Sequence, residues 1–234
     1  MQYHQIHFKE IDSTNTYLKN TYRLLDNFTF ASADYQSNGK GRNDRVWSSE
    51  PGENLMFSLL IKDEEIMKQS AVMSILAGVE VAREIEKYGV DNVSIKWPND
   101  VLINDKKVCG ILLEGQIPNY LVVGVGLNVN QKAFRDDLRR PATSLSLELK
   151  KDVNIDELKN RLFSKMVNHF SNIKLEEYLD YFRSHNYLLN KRVRVSINNQ
   201  VFIGEVMGVD DSFCLQVLSS DILLHIDSGE IEIL

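Results

Sequence analysis

Between Ser37 and Ser49 the chain reads SNGKGRNDRVWSS, with two glycines, four charged residues and one tryptophan. Gly39 and Gly41 let main-chain N–H groups approach an oxyanion closely, and Lys40, Arg42 and Arg45 supply cations, two of them forked donors suited to phosphate or carboxylate. Trp47 adds a flat face on which a purine can stack. The same composition also describes an ordinary solvated turn. A second group, KWPND (Lys96–Asp100), follows a strand-like run. It brings a cation, a ring, the Asn99 amide and the Asp100 carboxylate to one strand end, an inventory that suits a nucleotide with Mg²⁺ and equally a plain Pro-Asn-Asp turn.

Three further stretches add to these. KKVCGILLEG places Lys107 at the start of an apolar run, either as a solvated strand end or as an ammonium aimed into a pocket between two anionic groups. Gly110 within that run marks close approach by something else. In VVGVGLNVN, Gly124 and Gly126 share a strand face with Asn128, which predicts either a bend or the floor of a slot for a flat ligand. IDSTNTYLKN reads as a helix start capped by Ser13 or Thr14, whose hydroxyls can also face a pocket. No GxGxxG opens a helix after a strand, so a dinucleotide fingerprint is absent.

The elements that must hold these residues follow from periodicity. Apolar residues recurring at three and four from Ile66 to Ile85 predict one helix over Asp63–Tyr88. NLMFSLLI, VSIKW, DVLINDKKVCGILLE and YLVVGVGLNVN read as strands of one sheet, with a hairpin turn at Asn104-Asp105-Lys106. Two helices follow around NIDELKNRLFSKMVNHFSNI, capped by Asn154 or Asp156, and KLEEYLDYFRSHNYL. Beyond residue 188, five short β-rich runs are separated by turns at Asn198-Asn199, Asp210-Asp211-Ser212, Ser219-Ser220-Asp221 and Asp227-Ser228-Gly229. They predict a small barrel packed on the first domain.

Composition bounds the function. The 234 residues are 43% hydrophobic and 26% charged, with 27 Lys and Arg against 33 Asp and Glu, a formal net charge of −6. That balance argues against a broad basic face for duplex nucleic acid and leaves room for a local basic patch. The N-terminus lacks a signal-peptide core and no apolar run is long enough to span a bilayer, so the chain is read as cytoplasmic, with no membrane and no DNA partner. Cys109 and Cys214 are read as reduced, buried strand residues. They and the five histidines, His4 and His7 among them, show no zinc spacing, which predicts no dedicated metal site.

The order DSTN, YQSNGKGRNDRVW, KWPND, KVCGILLE, GVGLNVN resembles the biotin protein ligase family from about Ile6 to Asn130, continuing faintly through PATSL and into the C-terminal module. The resemblance implies an α+β fold. Its first part is a mixed β-sheet catalytic domain flanked by helices, of the class II synthetase/biotin-lipoate ligase type, over residues 1–188. An SH3-like β-barrel over 189–234 follows. It further implies a two-step reaction: biotin and ATP, with Mg²⁺ near Asp100, give biotinyl-5′-AMP and pyrophosphate, and biotin then passes to a lysine of a biotin carboxyl carrier domain of a carboxylase. Carried over by position, biotin falls to Ser13, Thr14, Asn15 and Gln36. Gly39, Lys40, Gly41, Arg42 and Lys107 surround its carboxylate, and Gly110, Gly124 and Gly126 give it room. The nucleotide falls to Arg42, Arg45, Trp47, Asn99, Lys107 and Asn128, and Lys107 and Arg42 are the catalytic pair.

Arg42→Gly is therefore expected to release activated biotin and label lysines promiscuously. The family loop pattern GRGRxGR is broken here by Lys40 and by Asp44, which is expected to face solvent or pair with Arg45; GEIEIL lacks an arginine that some members carry. DSTN begins at residue 12, so the chain is expected to be the ligase-only form, without an N-terminal DNA-binding domain, as a monomer or homodimer. The rival readings are a lipoate or octanoate ligase of the same fold, separable by substrate, and a non-enzymatic biotin or nucleotide sensor.

Overall fold

The computed structural model describes residues 3–43, 45–135, 140–197 and 200–234. The chain opens with strand β1 (His4–Ile11), helix α1 (Thr14–Thr21) and strands β2 (Thr29–Gln36) and β3 (Asn54–Ile61). Helices α2 (Glu64–Met67) and α3 (Met73–Glu86) follow, then strands β4 (Val93–Lys96), β5 (Asp100–Ile103), β6 (Lys106–Gln116) and β7 (Tyr120–Asn128). These seven strands form one sheet in the order β1-β2-β3-β7-β6-β5-β4. Only the β1–β2 pairing is parallel, so the sheet is mixed, as expected. Helices α4 (Leu145–Leu149), α5 (Ile155–Phe170) and α6 (Leu175–Ser184) complete this part.

Alternation along the strands gives the sheet two unlike faces. On one, Leu55, Phe57, Leu59, Val123, Val125 and Leu127 pack under α3 and α5 in the main core. The other carries Ser58, Gly124, Leu112, Met56, Gly126 and Gly110, with Ser58 opposite Gly124, Gly124 opposite Leu112, and Gly126 between Met56 and Gly110. Helix α1 covers one end of this second face, burying Leu18 against Ala31, Leu60 and Val122. The room that the small residues leave is occupied by Asn15, Trp47 and Lys107, beside which lies the cavity described below.

Local chemistry explains most element ends. Ser13 caps α1 through its contact with the Thr16 N–H, and of the two candidate caps for α5 it is Asn154 that accepts from the Glu157 N–H, at 3.1 Å. Of the turn expected at Asn104-Asp105-Lys106, Asn104 and Asp105 take positive φ, 49° and 66°, as a two-residue hairpin turn requires, while Lys106 already begins β6. The single helix expected over 63–88 is instead two. Asp63 caps α2, but Gln69 leaves helical torsion angles and a tight turn at Ser70–Val72 precedes α3. Ile66 and Met73, seven residues apart, are both buried across this break, so apolar spacing continued through it.

The last five strands, β8 (Arg192–Ile197), β9 (Gln200–Val209), β10 (Leu215–Ser219), β11 (Ile222–Ile226) and β12 (Glu230–Ile233), form one antiparallel sheet in the order β11-β10-β9-β8-β12. The turn expected at Asn198-Asn199 lies outside the described residues. This sheet joins the first through a shared core, in which Trp97 is 2% exposed and its indole N–H donates to the Phe213 carbonyl at 3.1 Å. Cys109 is buried, and burial pushes its thiol pKa up. Cys214 departs from expectation: it is half-buried and precedes β10 rather than lying in it. Among the described residues no helix is long and apolar enough to cross a membrane.

Candidate functional site

On the glycine-bearing face lies a cavity of about 480 Å³, within the range of small-molecule sites. One end is built by α1, β2 and β3. Thr14 donates its N–H to Gln36 Oε1 at 2.8 Å, and its hydroxyl lies 3.0 Å from the same oxygen and 2.7 Å from Ser58 Oγ. Ser58 Oγ donates to Asn15 Oδ1, and Asn15 Nδ2 donates to Glu114 Oε2 at 2.8 Å. Lys19 from α1 pairs with the other oxygen of Glu114. Burial pushes the Glu114 carboxyl upward, but hydrogen bonds from Lys19 and Asn15 outweigh it and hold its pKa below the usual carboxylate value. Ser13, Thr14, Asn15 and Gln36 thus come together as expected. Ser58, Lys19 and Glu114 join them without having been assigned a part; the one signal for Ser58 was a lone hydroxyl in the apolar run NLMFSLLI.

The other end is cationic. Lys40, Arg42, Arg45, Lys96, Lys107, Arg135 and Arg140 line the cavity beside two carboxylates, Asp100 and Glu230. Lys107 points inward, its ammonium 2.7 Å from the Asp100 carboxylate and 5.5 Å from the centre of the Trp47 ring. Its backbone is fixed by pairing with the PATSL segment, through Lys107 N to Pro141 O and Thr143 N to Lys107 O, both 2.9 Å. Asn99 donates to the Ile111 carbonyl at 2.9 Å, and Asn128, buried, donates to the Thr143 carbonyl at 3.0 Å. Lys96 is buried and donates to the Ile231 carbonyl, so Lys96 and Trp97 join the two sheets; Trp97 offers no face for stacking.

Residues 39–43 fold back on residues 45–47 as a hairpin. Gly41 N donates to Arg45 O at 2.7 Å and Trp47 N to Gly39 O at 2.9 Å, with Lys40 bridged to Val46. A Cβ on Gly39 would fall 2.6 Å from the Trp47 carbonyl, so this glycine serves the hairpin itself, as does Gly41 against the Arg45 carbonyl. Arg42 reaches Asn99 Oδ1 and the Gly229 carbonyl, each at 3.2 Å, while Asn43 and Arg45 both bind Glu230. Asp44 lies outside the described residues.

The paired glycines do not floor an open slot. A Cβ on Gly124 would fall 2.2 Å from Asn15 Oδ1, and one on Gly126 would fall 2.5 Å from the Trp47 ring. On Gly110 it would meet Lys107 Nζ at 2.9 Å and Trp47 at 3.1 Å. The space the strands leave is taken by side chains brought from α1, from the hairpin and from β6. The Trp47 indole N–H is buried there without a hydrogen-bond partner among the described residues. Among those residues no three His, Cys, Asp or Glu side chains converge, and His4 and His7 pair instead with Asp26 and Asp34. Sequence reasoning also missed Arg140, which donates to the Ile231 carbonyl, and the Gly229–Ile231 segment, which the second sheet brings to the cavity.

Comparison with known proteins follows the same lines. Residues 7–130 match the model of the biotin/lipoate A/B protein ligase family. The bifunctional ligase/repressor BirA of Bacillus subtilis is 31% identical over 251 residues, covering all of this chain and 75% of that protein. The biotin–[acetyl-CoA-carboxylase] ligase of Mycobacterium tuberculosis is 30% identical, over 79% of this chain and 72% of its own length. The biotin protein ligase of Aquifex aeolicus, solved in complex with biotin and ATP, superposes with a TM-score of 0.88 at 27% identity, over 98% of each chain.

Proposed function

This chain belongs to the biotin/lipoate A/B protein ligase family and is a ligase; on that premise we propose that it activates biotin with ATP and transfers it to a carrier-domain lysine. In the first step a biotin carboxylate oxygen attacks the α-phosphorus of ATP, the Pα–O–Pβ bond breaks, and pyrophosphate leaves with the electron pair. In the second, the neutral amine of a lysine on a biotin carboxyl carrier domain attacks the acyl carbon, AMP departs, and the amine proton is lost. We assign residues 1–188 to biotin and ATP, and 189–234 to a module that closes the cavity from one side.

The observation that carries the reading is the cavity's two-ended lining. A neutral hydrogen-bonding end at Thr14, Gln36, Asn15 and Ser58 suits the ureido ring of biotin, and a cationic end at Lys107 and Arg42 suits a carboxylate meeting a phosphate. Lys107 lowers the repulsion between those two anions and supports the charge on the α-phosphate as it is attacked. Between the ends, the Trp47 indole and its unpaired buried N–H offer a stacking face and a donor for the adenylate. The Arg42 bridge to Asn99 and Gly229 holds the hairpin over the site, which keeps water from the mixed anhydride until the acceptor amine arrives.

Among the described residues no three acidic or histidine side chains converge and Asp100 is already paired with Lys107, so those residues do not by themselves build a magnesium cage. Mg²⁺ belongs to this reading as the counter-ion that ATP carries on its phosphates.

Incubation of the protein with ATP, biotin and a carrier domain, read by intact mass, tests the proposal. One added biotin per carrier, with pyrophosphate released on biotin and not on lipoate, is the expected result. Pyrophosphate release on lipoate alone would assign the other substrate of the family, and none on either would reject activation.

A further inference from the structure

Lys107 sits where the sheet is least regular. Strand β5 pairs Leu102 with Lys107 and the next residue back, Val101, with Cys109, so Val108 is an extra residue bulged out of β6. A bulge of this kind re-aims the neighbouring side chain and interrupts the ladder that would otherwise hold it. On the opposite side, pairing of β6 with β7 begins only at Cys109. At Lys107 the place of β7 is taken by residues 141–143, which run parallel to it through Lys107 N to Pro141 O and Thr143 N to Lys107 O. The direction of the ammonium thus depends on two supports outside the regular sheet, the 141–143 segment and the turn at Asn104-Asp105 that leads into β6.

Both supports end on one carboxylate. Glu148 of α4 receives the Thr143 hydroxyl on Oε1 at 2.5 Å and the Asn104 side-chain N–H on Oε2 at 2.8 Å. Two donors meet two acceptor oxygens, a match that a carboxylate supplies and that an amide, with its single oxygen, does not. Thr143 is 1% exposed, so solvent offers its hydroxyl no substitute partner. Helix α4 is itself fixed, capped by Ser144 and anchored by Leu145 in the main core, and it ends at Lys150 with φ 55°.

We propose that Glu148 is a positioning residue for Lys107, tying the 141–143 segment to the β5–β6 turn so that the bulged strand presents the ammonium to the reacting carboxylate and phosphate. Glu148 does not line the cavity and acts through Thr143 and the Lys107 backbone. Loosening that backbone frees the ammonium to follow Asp100, its partner at 2.7 Å, at the expense of a ligand. This deepens the biotin reading and rests on the part that reading gives to Lys107.

A double-mutant cycle on the full chain tests this, read as kcat for pyrophosphate release at saturating biotin and ATP. Glu148→Ala is expected to lower kcat about tenfold, short of the roughly hundredfold that a misplacement of about 1 Å can cost. Added to Lys107→Ala, it is expected to change kcat by less than about twofold, because the side chain it positions is gone. A purely structural role would slow both backgrounds alike. Glu148→Gln keeps an acceptor for the Thr143 hydroxyl and is expected to recover most of the rate. Circular dichroism reports folding, and if Glu148→Ala does not fold, Thr143→Val removes the same bond from its other end and takes its place in the cycle. Parent kcat in Glu148→Ala, no recovery in a folded Glu148→Gln, or equal losses in both backgrounds overturns the inference alone. Full activity in Lys107→Ala removes Lys107 from the reaction and the inference with it, while a parent protein that releases no pyrophosphate on biotin overturns the biotin reading as well.

Discussion

At the cationic end Lys107 meets Asp100, the Trp47 ring and the space that Gly110 leaves. Lys107→Ala is therefore expected to slow biotin-dependent pyrophosphate release by about 10²–10³-fold, the scale of one transition-state donor removed from a dry site. Retention of full activity in that assay would remove Lys107 from the reaction. Gly126→Ala places a methyl group 2.5 Å from the Trp47 ring, on a backbone that cannot yield. It is expected to displace the indole and weaken ATP by roughly tenfold while sparing biotin, on the scale of a lost aromatic contact, which paired titrations would show. These positions were legible in the sequence because glycine in a strand and lysine beside an apolar run each demand a reason. Ser58 and Lys19 were not, since a single hydroxyl in a buried strand and a lysine in a helix are ordinary. Gly39 drew attention for the right property and the wrong neighbour: the close approach it permits is by the Trp47 carbonyl.

Among the elements, the hairpin of residues 39–43 and 45–47 is tied to the start of strand β12. Arg42 donates to the carbonyl of Gly229, while Asn43 and Arg45 share the Glu230 carboxylate, so the loop over the site is fastened to the second sheet. Arg42→Gly and Glu230→Gln are expected to act in the same direction, loosening the loop so that activated biotin escapes and labels exposed lysines on bystander proteins. The effect of Glu230→Gln should be the smaller, within a few fold, since that pair is partly exposed. Streptavidin blotting after reaction with bovine albumin measures it, and unchanged bystander labelling in both variants would separate the loop's docking from retention of the intermediate. Strands and caps were legible because alternation and side-chain acceptors act locally. The break at Gln69 was not, because Ile66 and Met73, seven residues apart and both buried, keep helical spacing across it. Nor was the part played by Trp97, whose partner, the Phe213 carbonyl, lies 116 residues away.

For the molecule as a whole, charge is unevenly placed. The chain carries a net −6, yet among the described residues seven Lys and Arg line one cavity beside two carboxylates. A cationic cleft in an anionic body draws anions to one place and repels them elsewhere. The association rate of ATP is expected to fall several-fold between low and physiological ionic strength, as screening shortens the reach of that field, and stopped-flow binding would measure it. A rate indifferent to salt would mean that the pairs with Asp100 and Glu230 neutralise the cleft. The same cleft has a second consequence, on departure. In the proposed reaction pyrophosphate and AMP are anions too, and they would have to climb out of the well that captured their parent. Capture and exit therefore pull in opposite directions with ionic strength, so kcat/KM should decline with added salt while a release-limited kcat rises, and turnover should peak where neither step dominates.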